Sequence, residues 1–502
     1  MSIDTPDWVR DAVFYQVFPD RFARSGRVPT PGTLEAWDAP PTIHGFKGGD
    51  LYGLADGLLD LRGLGVTALY LTPVFASASN HRYHTYDYLA VDPMLGGDEA
   101  LRDLLDRAHA LGMRVVLDGV FNHSGRGFWP FHHVAENGAD SPFRDWFILD
   151  EPVLSGERRL DPYPTVDPGV DPTGPIWRGG YRAWWGLPAL PKLNVANPQV
   201  REYLFGVAEH WLRFGIDGWR LDVPTEIDDP TFWPEFRRRC RAVDPEAYLV
   251  GEIWTDAPEW LAGDRFDGLM NYPLASAILG FAGGASLDER VVAEHHMYRA
   301  SIRRLDGVVF GREVERLMSR YDPAVVASQL NLLGSHDAPR ALTVLGDDVP
   351  ALRLAFTLQL TLPGAPCIYY GDEIAMAGHH DPDCRRSYPT EAGAGDQALR
   401  GYLAALAAAR HQHIALRRGE VRVLGAIGQA IVLQRTAEGR RALVAVNAGR
   451  TAEAVVVDGA SSGWRALPSL VTAGVALRDV DGETSRLSID LPAQASAVYL
   501  EA

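Results

Sequence analysis

At 502 residues, 46% apolar and 23% charged, the chain has the composition of a folded globular protein, long enough for one large domain with additions or for two to three ordinary ones. A formal net charge of −17 excludes nucleic acid and anionic membrane as main partners, because both select for basic surfaces, and it favours a neutral or small substrate. Cys240, Cys367 and Cys384 are too few and too scattered for a disulfide framework or a cysteine-based zinc site.

The N-terminal stretch "MSIDTPDWVRDAVFYQ" lacks a basic segment followed by an apolar core, so no secretory signal is expected. The most apolar long run, "ALRLAFTLQLTLPGAPCIYYG", is interrupted by Arg353, Gln359 and Pro363, which argues against a membrane-spanning helix. A cytoplasmic location is the expectation.

Taken in chain order, three segments share one grammar. In "GDLYGLADGLLDLRGLGVTALYLTP" an amphipathic helix ends at Gly65 and a short apolar strand follows. In "GDEALRDLLDRAHALGMRVVLD" Asp98 is the candidate cap, Leu101, Leu104, Leu105 and Ala108 fall at helical spacing, and Gly112 suits a left-handed stop. In "NPQVREYLFGVAEHWLRFGIDGWRLD" Asn197 and Pro198 open the helix and Gly215 ends it. Helices alternating with short, fully apolar strands require parallel pairing with right-handed crossovers. Further strand candidates are "AVFYQVF", "YLVGE", "DGLMNY", "SQLNLLGSHD" and "PCIYYGDE", which brings the number to eight and predicts a closed (β/α)8 barrel.

Between the third strand and Asn197 lie about 75 residues rich in Trp, Pro, Gly and His, among them "FWPFHH", "DPYPTVDPGVDPTGP" and "YRAWWGLPALPKLN". That is far beyond an ordinary connection, so residues 122–195 are assigned to an inserted lobe over the active face. The barrel takes residues 1–121 and 196–416. From 417 to 502 the pattern changes to short alternating runs, "AIVLQR", "ALVAVN", "EAVVVD", "RLSIDL" and "SAVYL", which predict an antiparallel sandwich without helices.

Ionisable residues gather at the predicted strand ends: Asp118, Asn122 and His123 after the third, Arg220 and Asp222 at the fourth, Glu252 after the fifth, His336 and Asp337 after the seventh. A ring of this kind on one rim is how such a barrel builds an active site. Three carboxylates, with no cysteine nucleophile and no glycine-rich phosphate loop, are compatible with glycoside hydrolysis or with a divalent-metal site. The histidines of "HRYHT" and "FHH" lack the companion carboxylate at helical metal spacing, which favours hydroxyl-binding roles. Tyr83, Trp129, Trp184, Trp185 and Trp254 supply aromatic faces suited to sugars.

These residues carry a resemblance to the α-amylase family, most closely to its neopullulanase, maltogenic amylase and cyclomaltodextrinase group. Its carriers are "DGVFNH" (Asp118 to His123), "GWRLDVPTE" (Gly218 to Glu226), "GEIW" (Gly251 to Trp254), "LLGSHD" (Leu332 to Asp337), "LPKLN" (Leu190 to Asn194), "GVTALYLTPVF" and "GAPCIYYGDEI". The resemblance implies a retaining hydrolase of α-1,4-glucosidic bonds in malto-oligosaccharides or starch, releasing mainly maltose, with transglycosylation possible through a glycosyl-enzyme intermediate. Neopullulanase, cyclomaltodextrinase or α-glucosidase specificity is the alternative, and a non-enzymatic glucan-binding barrel is the rival of a different class. It implies Asp222 as nucleophile, Glu252 as general acid/base and Asp337 as third carboxylate. Arg220 would keep Asp222 ionised, and His123 and His336 would bind hydroxyls of the reacting sugar. Tyr83 would stack beneath it, Trp254 would line the leaving-group side, and Asp381 and Arg385 would clamp the next sugar. Asp118 and Glu226 complete the implied substrate-binding set.

The chain departs from the resemblance in four places. The group's added β-domain has no counterpart before "DAVFYQVFPDRF", so a monomer is expected. "RSGRVPT" replaces an Asn/Asp-rich calcium loop after "RFA", and Asp50 alone cannot supply calcium's several oxygen ligands, so no metal or other cofactor is expected. His84 stands where relatives tend to have Asp. The usual Val-Ala-Asn-Glu after the nucleophile reads Val223, Pro224, Thr225, Glu226.

Overall fold

In the computed structural model, which describes residues 3–30, 32–165, 177–458, 463–480 and 486–501, eight parallel strands close into a barrel. They are β1 (Phe14–Val17), β2 (Ala68–Leu71), β3 (Arg114–Gly119), β4 (Gly218–Leu221), β5 (Tyr248–Gly251), β6 (Gly268–Leu269), β7 (Leu330–Leu332) and β8 (Ala365–Tyr369). Hydrogen-bonded neighbours run in the order β6, β5, β4, β3, β2, β1, β8, β7. A parallel bridge between Met270 and Leu330 joins the two ends of that row, and Asn271 N donates to Leu330 O at 2.8 Å.

Side chains alternate through the barrel wall as the two-residue period of a strand requires. Phe14, Ala68, Tyr70, Val116, Tyr248, Val250, Leu330, Leu332, Ala365 and Cys367 pack in the interior. Tyr15, Leu69, Leu71, Val115, Leu117, Trp219, Leu221 and Leu249 belong to the outer core beneath the helices. The strands are continuous apolar runs because both faces are buried. In β4 the same alternation turns Trp219 outward, so Arg220 and Asp222, two residues apart, lie on the inward side at the mouth.

The helix stops follow the expected chemistry. Gly65 and Gly215 cap their helices with φ of 98° and 114°, a left-handed geometry that costs a residue with a Cβ. Asn197 accepts from Gln199 N and Pro198 occupies the first turn. Two local readings are corrected. Asp98 does not cap its helix, Gly97–Ala110; Gly96 does, and Asp98 Oδ1 instead accepts from Val91 N at 2.8 Å. The first helix is broken at Gly57 into Leu51–Asp56 and Leu58–Leu64, and Asp50 caps its start. Both oxygens of Asp50 are committed: Oδ1 to Gly53 N, Oδ2 to Ser25 N and Oγ.

Between β3 and the helix Pro198–Phe214 the chain forms the helix Trp129–Asn137, a single turn at Glu151–Leu154 and a two-residue hairpin, Trp177–Arg178 with Tyr181–Arg182. Isolated bridges from His123 to Lys192 and from Ala183 to Pro191 fold this segment back over the mouth. The "VDPGVDPTGP" part of the proline-rich motif lies outside the described residues.

The C-terminal region carries two antiparallel sheets: β9 (Glu420–Ile427), β10 (Ala430–Ala437), β11 (Arg440–Asn447), β12 (Glu453–Asp458), β13 (Trp464–Val471), β14 (Ala476–Asp479), β15 (Arg486–Leu491) and β16 (Ala495–Glu501). One sheet is ordered β9, β10, β11, β16, β13 and the other β12, β15, β14. Val432, Leu443, Ala445, Val455, Val457, Leu487, Ile489 and Ala497 fill the layer between them. The opposite face of the larger sheet, with Ile431, Leu433, Val444, Val446, Val498 and Leu500, joins the core of the barrel helices. Among the described residues no helix follows Ile414–Arg418, and no helix is long and apolar enough to cross a membrane.

Candidate active site

β3, β4 and β5 deliver four charged side chains to one point. Arg220 is fully buried, and its Nη1 donates to Asp118 Oδ1 (2.9 Å) and Oδ2 (3.0 Å) and to Asp222 Oδ1 (3.0 Å). Its Nη2 lies 2.8 Å from Glu252 Oε2, close enough for an ion pair but without hydrogen-bond alignment. The guanidinium therefore serves three carboxylates, where the sequence suggested Asp222 as its partner. Tyr70 and Tyr83 donate their hydroxyls to Asp118 Oδ2 at 2.7 and 2.8 Å. Glu252 also accepts from Trp254 Nε1 (3.1 Å) and from Val223 N (3.2 Å).

Burial pushes all three carboxyls up, Asp118 to about 6. Arg220 pulls each of them down, as expected for Asp222, but burial and the neighbouring Glu252 carboxylate outweigh it there. Asp337 raises Glu252 further. Two buried carboxyls held against one cation resist simultaneous ionisation, so Asp222 and Glu252 are suited to share one proton. The aligned Arg220 bond favours the charge on Asp222 and leaves the proton to Glu252.

A second network descends from the β7 loop. Gln16 Nε2 lies 2.8 Å from His336 Nδ1, and His336 Nε2 lies 2.6 Å from Tyr83 Oη and 3.0 Å from Asp337 Oδ2. With Gln16 donating to Nδ1, the neutral ring carries its proton on Nε2, and burial holds its pKa well below that of a free histidine. The Tyr83 ring stacks on that imidazole, with centroids 5.4 Å apart. Arg385 donates from Nε to His336 O (2.8 Å), pairs with Asp381 (2.8 Å) and reaches Asp337 Oδ1 (3.3 Å).

Above these groups opens a cavity of about 600 Å³. Asp222, Glu252, Asp337, Tyr83, His123, Glu226, Trp254, Asp381 and Arg385 all line it, as does His84. Asp118, Arg220 and His336 are buried and do not reach its surface, so the structure places them as supports of the lining groups. His336 sits directly behind Tyr83 and Asp337, both of which line the cavity. One aromatic reading is corrected: Trp129 is exposed, packs on Phe143 and lies outside the lining. Trp184 and Trp185 do line the cavity, and Trp184 stacks on His123 at 5.2 Å. The His123 ring is held neutral, its pKa pushed down to about 3 by burial. Burial likewise takes His84 down to about 4, so an uncharged ring stands at the position where the resemblance has Asp.

Several lining or supporting residues escaped the sequence reading: Tyr70, Gln16, His296 and Met297. The alternation of β1 and β2 turns Gln16 and Tyr70 inward but carries no signal of their bonds to the site, and the paired histidines of "EHHMY" were the only signal for His296. Lys192 of "LPKLN" proves to be a buried tie. Its ammonium contacts Asn122 Oδ1 and donates to Glu226 O at 2.7 Å, fastening the inserted segment to the turn after Asp222. That turn is strained at Val223, whose φ of 35° is rare for a β-branched residue and aims its N–H at Glu252.

A carboxylate pair on a shared guanidinium, at the C-terminal end of a (β/α)8 barrel and under a sugar-sized cavity, defines a glycosidase-type site. The model of the α-amylase catalytic domain matches residues 16–415, and the chain belongs to the α-amylase family of glycoside hydrolases. Within the family it is similar to the cyclomaltodextrinase of Geobacillus thermopakistaniensis, 43% identical over 423 residues that cover 84% of this chain and 66% of that protein. The chain thus spans about two thirds of that relative's length. Among solved structures, the native debranching enzyme of Nostoc punctiforme superposes with a TM-score of 0.87 at 44% identity, covering 100% of both chains. The cyclic α-maltosyl-(1→6)-maltose hydrolase of Arthrobacter globiformis, in complex with its namesake sugar, gives 0.82 at 35% identity over 99% of this chain and 100% of that one.

Proposed function

We propose that the protein is a retaining hydrolase of α-glucosidic bonds in malto-oligosaccharides and related glucans, with a specificity in the cyclomaltodextrinase and neopullulanase range rather than a strictly maltose-releasing one. The observation that carries this reading is the Arg220 guanidinium, which holds Asp222 and Glu252 on adjacent nitrogens. A planar fork keeps its two acceptors side by side. That suits the close carboxyl spacing of retaining enzymes, about 5 to 5.5 Å, better than the wider gap that inverting enzymes keep for a water molecule.

In the first step the Asp222 carboxylate attacks the anomeric carbon while the Glu252 carboxyl gives its proton to the glycosidic oxygen, and the bond to the leaving sugar breaks. In the second, water attacks the same carbon, Glu252 takes the water's proton, and the bond to Asp222 breaks with net retention. Asp337, close to His336 Nε2 and bonded to Arg385, is placed to grip hydroxyls of the reacting ring. His123 offers it a neutral nitrogen. Trp254, which donates to Glu252, would line the leaving-group side, and the Asp381–Arg385 pair would clamp the next sugar on the non-reducing side. The neighbours' names bring α-1,6 linkages into range as well, and Glu226, Thr225 and His84 are the residues on which linkage choice would turn.

The test is hydrolysis of maltotriose by Asp222→Asn and Glu252→Gln. Each loses about 10²–10⁴-fold or more in kcat, whereas persistence of wild-type activity in either would overturn the mechanism. Digestion of pullulan separates the specificities: panose marks neopullulanase-type cleavage, and glucose as sole product from maltotriose marks an α-glucosidase.

A further inference from the structure

Trp254 and Thr255 border two cavities. One is the catalytic cavity. The other, of about 260 Å³, lies among the segment after β5, the helices Tyr272–Gly283 and Gly307–Ser319, and the chain between those helices. Nothing in the hydrolytic mechanism uses it. Its volume falls just below the range of about 300–1,000 Å³ that holds drug-sized ligands, so it suits one ring of a longer chain rather than a whole oligosaccharide.

The lining joins apolar surface from Trp254, Pro273 and Leu305 to a compact polar set. Arg316 is the centre of that set: Nη2 donates to Glu313 Oε1 at 2.7 Å, Nε donates to Oε2 at 3.0 Å, and Nη1 donates to Asp256 Oδ2. These side chains are partly exposed, so as a tie between loop and helix they contribute little to stability. Asp256 Oδ1 is buried yet finds no hydrogen-bond partner among the described residues, which leaves an acceptor for something else. Ser276 and Ser301, whose hydroxyls are 3.0 Å apart, also line the cavity. Carboxylates, a guanidinium and hydroxyls set closely around a ring-sized space are the donors and acceptors that neighbouring sugar hydroxyls require.

The position of this cavity follows from the acid. Glu252 gives its proton to the glycosidic oxygen, so the leaving sugar lies beside it. Trp254 donates to Glu252 Oε1 at 3.1 Å and stacks on Tyr272 with centroids 3.5 Å apart. Tyr272 begins the helix that supplies Pro273 and Ser276 to the second cavity. A glucan that runs on past the acid therefore reaches that cavity across Trp254 and Thr255.

We propose that the second cavity binds a glucosyl unit of the leaving chain, so that the enzyme favours glucans extending well beyond the scissile bond on that side over maltotriose. The proposal rests on the hydrolase reading above and specifies its substrate class. It makes no demand on chain ends, so linear, cyclic and polymeric glucans all reach the site.

The experiment measures kcat/KM on maltohexaose and on maltotriose for the wild type, for Ser301→Tyr, which fills the cavity, and for Arg316→Ala, which removes its cation. Melting temperatures establish that each variant is folded, and Arg316→Ala decides the matter if the larger side chain prevents folding. The maltohexaose-to-maltotriose ratio is expected to fall at least fivefold in Ser301→Tyr and at least twofold in Arg316→Ala. A wild-type ratio in either folded variant would overturn the site while leaving the hydrolase reading intact. A wild type inactive on both substrates would overturn that reading, and the site with it.

Discussion

Replacing Arg220 by lysine keeps the charge and removes the fork. An ammonium is a point charge that cannot hold Asp118, Asp222 and Glu252 in one plane, so the spacing between nucleophile and acid is lost. Arg220→Lys is expected to lower kcat by about 10²–10³-fold, the usual cost of one preorganised electrostatic donor. Arg220→Met leaves buried carboxylates without a cation and should cost about 3–5 kcal/mol of stability, measured by denaturant unfolding. Equal kcat in wild type and Arg220→Lys would show that charge alone suffices. The spacing of Arg220 and Asp222 made both visible in the sequence as inward-facing residues of one strand. Their supports were not visible: Tyr70 and Gln16 come from other strands, and nothing in a linear pattern tells an inward tyrosine that fills a barrel from one that donates to Asp118.

Among the elements, the helix Gly97–Ala110 and the start of β4 are joined by a titratable tie. His109 Nε2 lies 2.8 Å from Asp217 Oδ2, and Arg114 reaches Asp217 Oδ1 at 2.7 Å. The Asp217 carboxylate raises the His109 pKa. The extra stability of charged His109 is therefore fully present below the unfolded value of about 6.5 and is lost as pH rises through the raised folded value. Because His109 is more than a third exposed, the gain is at most about 0.5 kcal/mol. His109→Gln should melt below the wild type at pH 5.5 and approach it at pH 9; a difference of equal size at both would contradict the assignment. Helices with glycine stops followed by apolar strands were legible because apolar spacing and left-handed stops are local signals. β6, only two residues long, was legible as a strand position but not in extent, and the hairpin of Phe75–Ser77 with Thr85–Val91 gave no separate signal. In the C-terminal region five alternating runs were recognised, against eight strands among the described residues. β9 was hidden by the register shift between Val423 and Gly425, while β13 and β14 are too exposed to alternate cleanly.

At the scale of the whole molecule, the central strands of the larger C-terminal sheet, β10, β11 and β16, are buried on both faces, and one of those faces shares its core with the barrel helices. Arg435, on β10, donates to Gly419 O and to Thr361 O, the latter at the end of the barrel helix Val349–Thr361. Such a shared core couples the two regions, so calorimetry should give one unfolding transition whose calorimetric and van't Hoff enthalpies agree. A separate transition for residues 419–501 would show that they fold independently. The same continuity holds the cleft in one frame. The barrel supplies the carboxyls, the segment after β3 supplies Trp184 and Trp185, and the loop after β8 supplies Asp381 and Arg385.

In the proposed mechanism Asp222 forms a covalent bond to the sugar while Glu252 moves the proton. A maltosyl fluoride of α configuration has a leaving group that needs no acid, so Glu252→Gln should form the glycosyl-enzyme and then, lacking the base, hydrolyse it slowly. The expected result is an intact mass increased by one maltosyl unit, with peptide mapping placing the adduct on Asp222. An adduct on another residue, or no adduct together with a product of inverted configuration, would contradict it.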